Sequence, residues 1–250
     1  MEMTVSNRLF EAYKTKTPVE IENIEVANIM DAYDNQEALL ERKKDLGETL
    51  KGYKISLTSQ ETQRLFNSTH PLYGAMTDKQ IVESVSLADY NEPLLELELI
   101  FNVVETIEVE DTLEEICKKC TISPGIEIPD GRYKNWFPNI DMFQVISDAA
   151  VSGAVVIGEP KQLTYANIAS IKGTIFKDGE EVMSGYSTEV MDHPAEAVKW
   201  LVLELDKRGK KLEPGMFVSS GTFIIPFALE VGTYTATYEN VGSVSVEVTK

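Results

Sequence analysis

Residues 92–101 read EPLLELELIF. A strand repeats every two residues, so Leu95, Leu97 and Leu99 fall on one face and Glu96 and Glu98 on the other. The glutamate face continues as Ile100, Asn102 and Val104, so it is not a simple polar surface. Two readings stay open for the pair. Either the carboxylates line a solvated face, or they point into a buried site, where a carboxylate needs a cation or hydrogen-bond donors.

Around this run the chain divides by period. Residues 1–50 carry helical spacing: Leu9, Phe10 and Tyr13, then Val26, Ile29, Met30, Tyr33, Leu39 and Leu40, with Pro18 between the two helices and Gly47 as a stop. YKISLTS (53–59) turns strand-like and a short helix follows near SQETQRLFN, with HPLYG (70–74) as a loop. Further strands are predicted at GIEI, GAVVIG, IASIKGTIFKDGEEVMSGY, MFVSSGTFI, GTYTATYEN and GSVSVEVT, with Asp178-Gly179 as a hairpin turn. DTLEEICKKC and HPAEAVKWLVLELDKRG read as helices. The order is helical first, then β-rich, without βαβα alternation, which argues against a doubly wound parallel sheet and predicts an α+β fold. We divide it into a helical lobe, 1–75, and a β-rich roll, 76–250, or one integrated domain.

The chain has 250 residues and a net charge of −18, with 43% hydrophobic residues, enough for a sizeable core. That charge argues against nucleic-acid binding, which needs basic patches. No apolar stretch approaches the ~20 residues that span a bilayer. The first residues lack the basic and apolar segments of a signal peptide, and a cytoplasmic setting is expected. The two cysteines, Cys117 and Cys120, read as thiols on one helix face rather than half of a zinc site. No G-x-G-x-x-G, P-loop or G-x-S-x-G occurs. His70 and His193, each before a proline, read as structural.

A third strand-like glutamate, Glu127, lies between Ile126 and Ile128. Three carboxylates without histidine describe a hard oxygen site suited to Mg²⁺ or Mn²⁺. Lys54 shares a strand face with Ser56 and Thr58. It reads either as a surface lysine or, beside a pocket, as one whose pKa is lowered toward neutrality. VSSGTF (218–223) is either a hydroxyl-lined wall or an ordinary strand.

Taken together and in order, DAYDNQ, TLKGYKISLTS, PLYGAMTD, LELELIF, GIEIPDGRY, ISDAAVSGAVVIG, HPAEAVKWL and the segment from Gly221 to Val248 resemble the fumarylacetoacetate hydrolase superfamily. The likeness is to its branch of 2-keto-4-pentenoate hydratases, which also holds 2-oxo-hept-4-ene-1,7-dioate hydratases and 4-oxalocrotonate decarboxylases. It covers roughly residues 28–249. The resemblance implies a β-rich mixed roll or barrel, a homo-oligomer, and a metal shell of Glu96, Glu98 and Glu127. It implies Lys54 and Asp78 as proton carriers, and Thr58, Asp130, Arg132, Thr222 and Ile225 along the substrate. The chain departs from the family at Ser56 and Gly131, and at Ala149 in place of an asparagine beside Asp148. Dicarboxylate-using relatives can carry arginine where this chain has Ile225, so the resemblance implies a monocarboxylate or apolar-tailed 2-oxo acid.

The activity so implied is hydration of a 2-hydroxy-2,4-dienoate to a 4-hydroxy-2-oxo acid. A decarboxylase would use the same metal-held enolate, and an inactive relative would keep only the fold.

Overall fold

The structure, a computed structural model, describes residues 3–250. Helix α1 (Val5–Thr15) starts where the Thr4 hydroxyl accepts from Asn7 N, and stops at Lys16, which is left-handed. Helix α2 (Ile29–Asp45) is capped by Asn28, whose side chain accepts from Met30 N and Asp31 N. Strand β1 (Leu50–Ser56), helix α3 (Gln60–Leu65) and strands β2 (Leu72–Thr77), β3 (Ser84–Ser86) and β4 (Leu94–Val103) follow. HPLYG is therefore part strand: Leu72, Tyr73 and Gly74 pair with β1, and the loop ends before them.

Beyond β4 come helix α4 (Leu113–Lys118), strand β5 (Cys120–Pro129), helices α5 (Trp136–Asn139) and α6 (Met142–Ser147), strand β6 (Ser152–Ile157) and helix α7 (Tyr165–Ile168). The chain finishes with hairpin β7 (Lys172–Lys177) and β8 (Glu180–Tyr186), helix α8 (Pro194–Asp206), and strands β9 (Phe217–Thr222), β10 (Phe227–Ala228), β11 (Gly232–Tyr238) and β12 (Gly242–Thr249). Asp178 and Gly179 turn the hairpin with positive φ. The two cysteines do not share a helix face: Cys117 is on α4, Cys120 opens β5, and both are free and buried.

Among the described residues, one sheet runs β2-β1-β9-β4-β5-β6, with β10 taking over from β9 beside the start of β4. Its outer strands meet where Ile81 bridges Val155 and Val82 N donates to Val155 O, so the sheet curls into a half-barrel. A second sheet, β3-β12-β11-β7-β8, packs on β5 and β6. β1 and β2 belong to the first sheet, and position 75/76 falls inside β2.

Register sorts the faces. Leu95, Leu97, Leu99 and Phe101 are fully buried in the main core. Each such side chain contributes about 1.5–3 kcal/mol of burial, enough to fix which face of β4 turns outward from the roll. The opposite face turns in. Glu96 pairs with Glu127 and Glu98 with Gly125. Lys54 pairs with Ser219 and Gly74. Deeper in the same interior, Met76, Ile100, Val155 and Phe217 form a separate apolar plug. The amphipathic reading of β4 thus resolves into a roll whose interior is apolar at one end and charged at the other.

Candidate active site

At the charged end, carboxylate oxygens of Glu96, Glu98 and Glu127 lie within 4.8 Å of one another. Glu98 and Glu127 are sealed from solvent, and Glu96 is 9% exposed. Lys54, 1% exposed, places Nζ 2.6 Å from Glu127 Oε2. Glu98 Oε2 is clamped by the Ser219 hydroxyl at 2.5 Å and by Gly221 N at 3.0 Å. The other Glu98 oxygen, Oε1, and Glu127 Oε1 have no hydrogen-bond partner.

The electrostatics follow from this crowding. Burial, and next repulsion by Glu127, push the Glu98 carboxyl up to about 8 against the opposing pull of Lys54, Ser219 and Gly221. Burial likewise raises Glu96, and raises Glu127 well above the ordinary range, against the pull of Lys54. For Lys54, burial alone would lower the pKa, but Glu127, Glu96 and Glu98 outweigh it and the net shift is upward. Of the two readings of Lys54, the surface one is overturned by its burial, and in place of a lowered pKa the three carboxylates hold its proton. The set fits a hard divalent cation, since buried oxygen donors converge there with unsatisfied lone pairs and like charges to be neutralised.

The clamp on Glu98 comes from VSSGTF, which is a strand and also supplies site donors. Thr58 is buried against Gly221, next to that clamp. Ala149, Ala150 and Val151 all have φ near +50°, a left-handed turn that L-residues enter at a cost of about 1–3 kcal/mol each. The Ala149 carbonyl occupies the space a Cβ on Gly74 would need, 1.9 Å away, so Gly74 is obligatory beside Lys54. Asparagine enters this region more readily than alanine. Here the turn is instead held from outside, by Asp130 N donating to Val151 O and Arg132 Nη2 to Asp148 O.

Several expected site residues are not brought to the cluster. Asp78 accepts from Thr49 N at 2.7 Å, where β1 and β2 begin and end; Lys54 pairs four positions away, at Gly74. Arg132 spends its donors on Asp148 and on the carbonyls of Asp130, Asp148 and Ser152. Asp130 accepts from Asn91 N and Glu92 N. These two border a different small cavity, about 40 Å³, beside Tyr13 and Tyr90. The Thr222 hydroxyl closes a local turn on Ile224 O. Ile225 is 46% exposed and turns away, and its neighbour Pro226 lines the site instead. His193 caps α8 and stacks on Tyr165, a structural role as expected.

The cavity beside Lys54 and Glu96, about 30 Å³, has walls that pattern reading missed: Leu57, Phe66, Trp136 and Phe137 among them. The available signal was the aromatic pair in the otherwise polar loop KNWFPN.

No family model matches the chain. The chain is 28% identical to the 2-oxo-hept-4-ene-1,7-dioate hydratase of Escherichia coli, over 96% of this chain and 95% of that one. It is 29% identical to the 2-keto-4-pentenoate hydratase of Paraburkholderia xenovorans, over 88% and 84%. Its fold matches the 4-oxalocrotonate decarboxylase from Pseudomonas putida G7, complexed with magnesium and adipate, with TM-score 0.89, 23% identity, and 98% and 95% of the two chains covered. The chain is thus similar to these hydratases over nearly its whole length, and it shares its fold with this decarboxylase. The curated proteins it resembles are hydratases and decarboxylases. The fold also matches a fumarylacetoacetate hydrolase family protein from Yersinia pestis, with TM-score 0.60 and 11% identity over 80% of this chain and 93% of that one. Among the described residues, no helix is long and apolar enough to cross a membrane.

Proposed function

We propose that this chain is a divalent-metal-dependent hydro-lyase that converts a 2-hydroxy-2,4-dienoate to a 4-hydroxy-2-oxo acid. The observation that carries the reading is one buried lysine in contact with one of three converging strand glutamates. Glu96, Glu98 and Glu127 would hold Mg²⁺ or Mn²⁺. Bound there, the cation would supply Lewis-acid stabilisation of the negative charge that develops on an enolate.

Lys54 is the group placed to move protons. The dienol must lose its C2 hydroxyl proton and gain one at C5, giving a 2-oxo-3-enoate. Water then adds oxygen at C4 and a proton at C3. A side chain that holds a proton in a dry pocket serves these transfers without exchange with bulk water. Three carboxylates and a dication sum to −1, so Lys54 also supplies positive charge toward the substrate carboxylate. Asp78 is not part of this reading, since its carboxylate is committed to the β1–β2 end.

Purified protein with Mg²⁺ or Mn²⁺ and 2-hydroxypenta-2,4-dienoate tests the reading. Loss of dienol absorbance with formation of a 4-hydroxy-2-oxo acid supports it. A second reading, decarboxylation, is favoured by the fold match to a decarboxylase. CO₂ release from 4-oxalocrotonate without hydration of the pentadienoate would replace the first reading with the second. Absence of both activities and of metal binding would leave an inactive relative.

A further inference from the structure

The walls of the Lys54–Glu96 cavity specify the far end of the ligand, given the reading above that its 2-oxo acid head sits at the lysine and the glutamates. Beyond the head group, the walls are Leu57, Leu65, Phe66, Trp136, Phe137 and Val151. The one neutral polar side chain in the lining, Thr62, donates its hydroxyl to Ser59 O at 3.0 Å. Trp136 Nε1 donates to Glu92 O at 3.0 Å. Lys54, the only cation in the lining, is held at Glu127. Arg64 shares α3 with Leu65 but is exposed and lines no part of the cavity.

A wider groove of about 450 Å³ adjoins the cavity and shares Leu94 and Phe137 with it. Leu87, Pro93, Ala228 and Leu229 continue its apolar surface, the Asn91 amide is spent on Gly131 O and Tyr133 O, and its one ionisable side chain is Glu92. A negatively charged tail would therefore meet either an apolar wall with no spare donor or a like charge. Burying a carboxylate against such a wall is strongly disfavoured. Gly131 contributes to this wall indirectly: a Cβ there would lie 2.6 Å from the Trp136 ring, so glycine is what seats the indole.

We infer that the site selects 2-oxo and 2-hydroxydienoic acids whose distal end is uncharged and apolar, and discriminates against dicarboxylates. The selecting surface is the Leu65–Phe66–Trp136–Phe137 wall, not Ile225.

Mg²⁺-loaded protein titrated calorimetrically with 2-oxohexanoate and with 2-oxohexanedioate isolates the distal group without requiring turnover. The monoacid should bind at least about tenfold tighter, the lower end of what pocket complementarity yields. Equal or tighter binding of the diacid overturns the inference, as does absence of binding by both. Turnover of 2-hydroxyhexa-2,4-dienoate against 2-hydroxyhepta-2,4-diene-1,7-dioate should show the same preference in kcat/KM. If neither dienoate reacts while the binding preference holds, the hydratase reading fails and the ligand class stands. Leu65→Arg, at a position 40% exposed and so tolerant of charge, should shift the preference toward the diacid by about tenfold. An unchanged ratio in a folded Leu65→Arg protein counts against the wall as the selecting surface.

Discussion

Lys54 Nζ lies 2.6 Å from Glu127 Oε2, with both side chains closed off from solvent. Lysine and a metal ion would compete for the same carboxylate. Lys54→Met should therefore spare or strengthen Mg²⁺ binding while slowing turnover by about 10²–10⁴-fold, the usual loss for a general acid or base. Metal affinity by calorimetry and kcat at saturating metal separate the two effects. Wild-type kcat in that variant would dismiss Lys54 as a proton carrier.

Glu98 differs from its two neighbours in being fixed by Ser219 and Gly221, leaving Oε1 free of hydrogen bonds. Glu98→Gln keeps the shape and removes the charge. Metal affinity should fall by about a hundredfold or more, above the roughly 10–100-fold typical for residues that only support a ligand. The metal-free protein should not lose stability, because burial and Glu127 already push that carboxyl toward its neutral form, which the amide resembles. Unchanged Mg²⁺ affinity would remove Glu98 from the ligand set.

How much of this was legible in the sequence depends on period and on partners. The period-two run of β4 marked both faces, and the interruption of its polar face by Ile100 signalled burial; Ile100 is part of the interior plug. Pattern alone left the glutamates open between a solvated face and a site, and Lys54 between the surface and a pocket; the ordered resemblance to the fumarylacetoacetate hydrolase superfamily is what singled out the four. Arg132, Asp130 and Asp78 could not be sorted from sequence, because whether a charged group faces substrate or a backbone carbonyl is decided by tertiary contacts. Trp136 and Phe137 were hidden for a related reason: their role comes from Gly131 leaving room for the indole, and from tertiary packing that sets both rings in the cavity wall beside Lys54 and Glu96.

Asp78 supplies a direct check on that sorting. Its carboxyl is held below the ordinary range, chiefly by hydrogen bonding from Thr49 N. Asp78→Asn should leave kcat/KM near the wild-type value and its pH profile unshifted. A fall on the order of a hundredfold, the size expected for loss of a catalytic proton carrier, would return Asp78 to the site.

Lys43 should give the protein an alkaline stability increment. It is 2% exposed, its Nζ has no hydrogen-bond partner, and it sits 4.1 Å from the centre of the Tyr13 ring. Burial, and next Arg132, bring it from 10.5 down to about 7, against the pull of Glu48 and Asp148. Between these two values the unfolded chain binds a proton that the folded chain does not. Lys43 therefore adds stability as pH rises from about 7 to 10.5 and adds no slope below that window. Each pH unit of the window is worth at most about 1.4 kcal/mol. Lys43→Met should raise stability at pH 7 and flatten the slope above it, as read by urea denaturation at several pH values. A slope unchanged by the substitution would mean Lys43 stays charged in the fold.

Gly131→Ser tests whether the indole wall depends on this glycine. A side chain at 131 would approach Trp136 Cγ to 2.6 Å and Cδ2 to 2.8 Å, closer than carbon atoms pack. Trp136 cannot simply slide, because Nε1 is tied to Glu92 O and its ring meets Phe137 edge-on at 5.5 Å. The substitution should cost about 1–3 kcal/mol, the range for overpacking a well-filled core. Displacing the indole should also expose it, shifting tryptophan emission to the red, and should weaken binding of 2-oxohexanoate more than that of pyruvate, which lacks a tail. Equal losses for both acids would place the damage at the head group, and unaltered emission would show that the ring never moved.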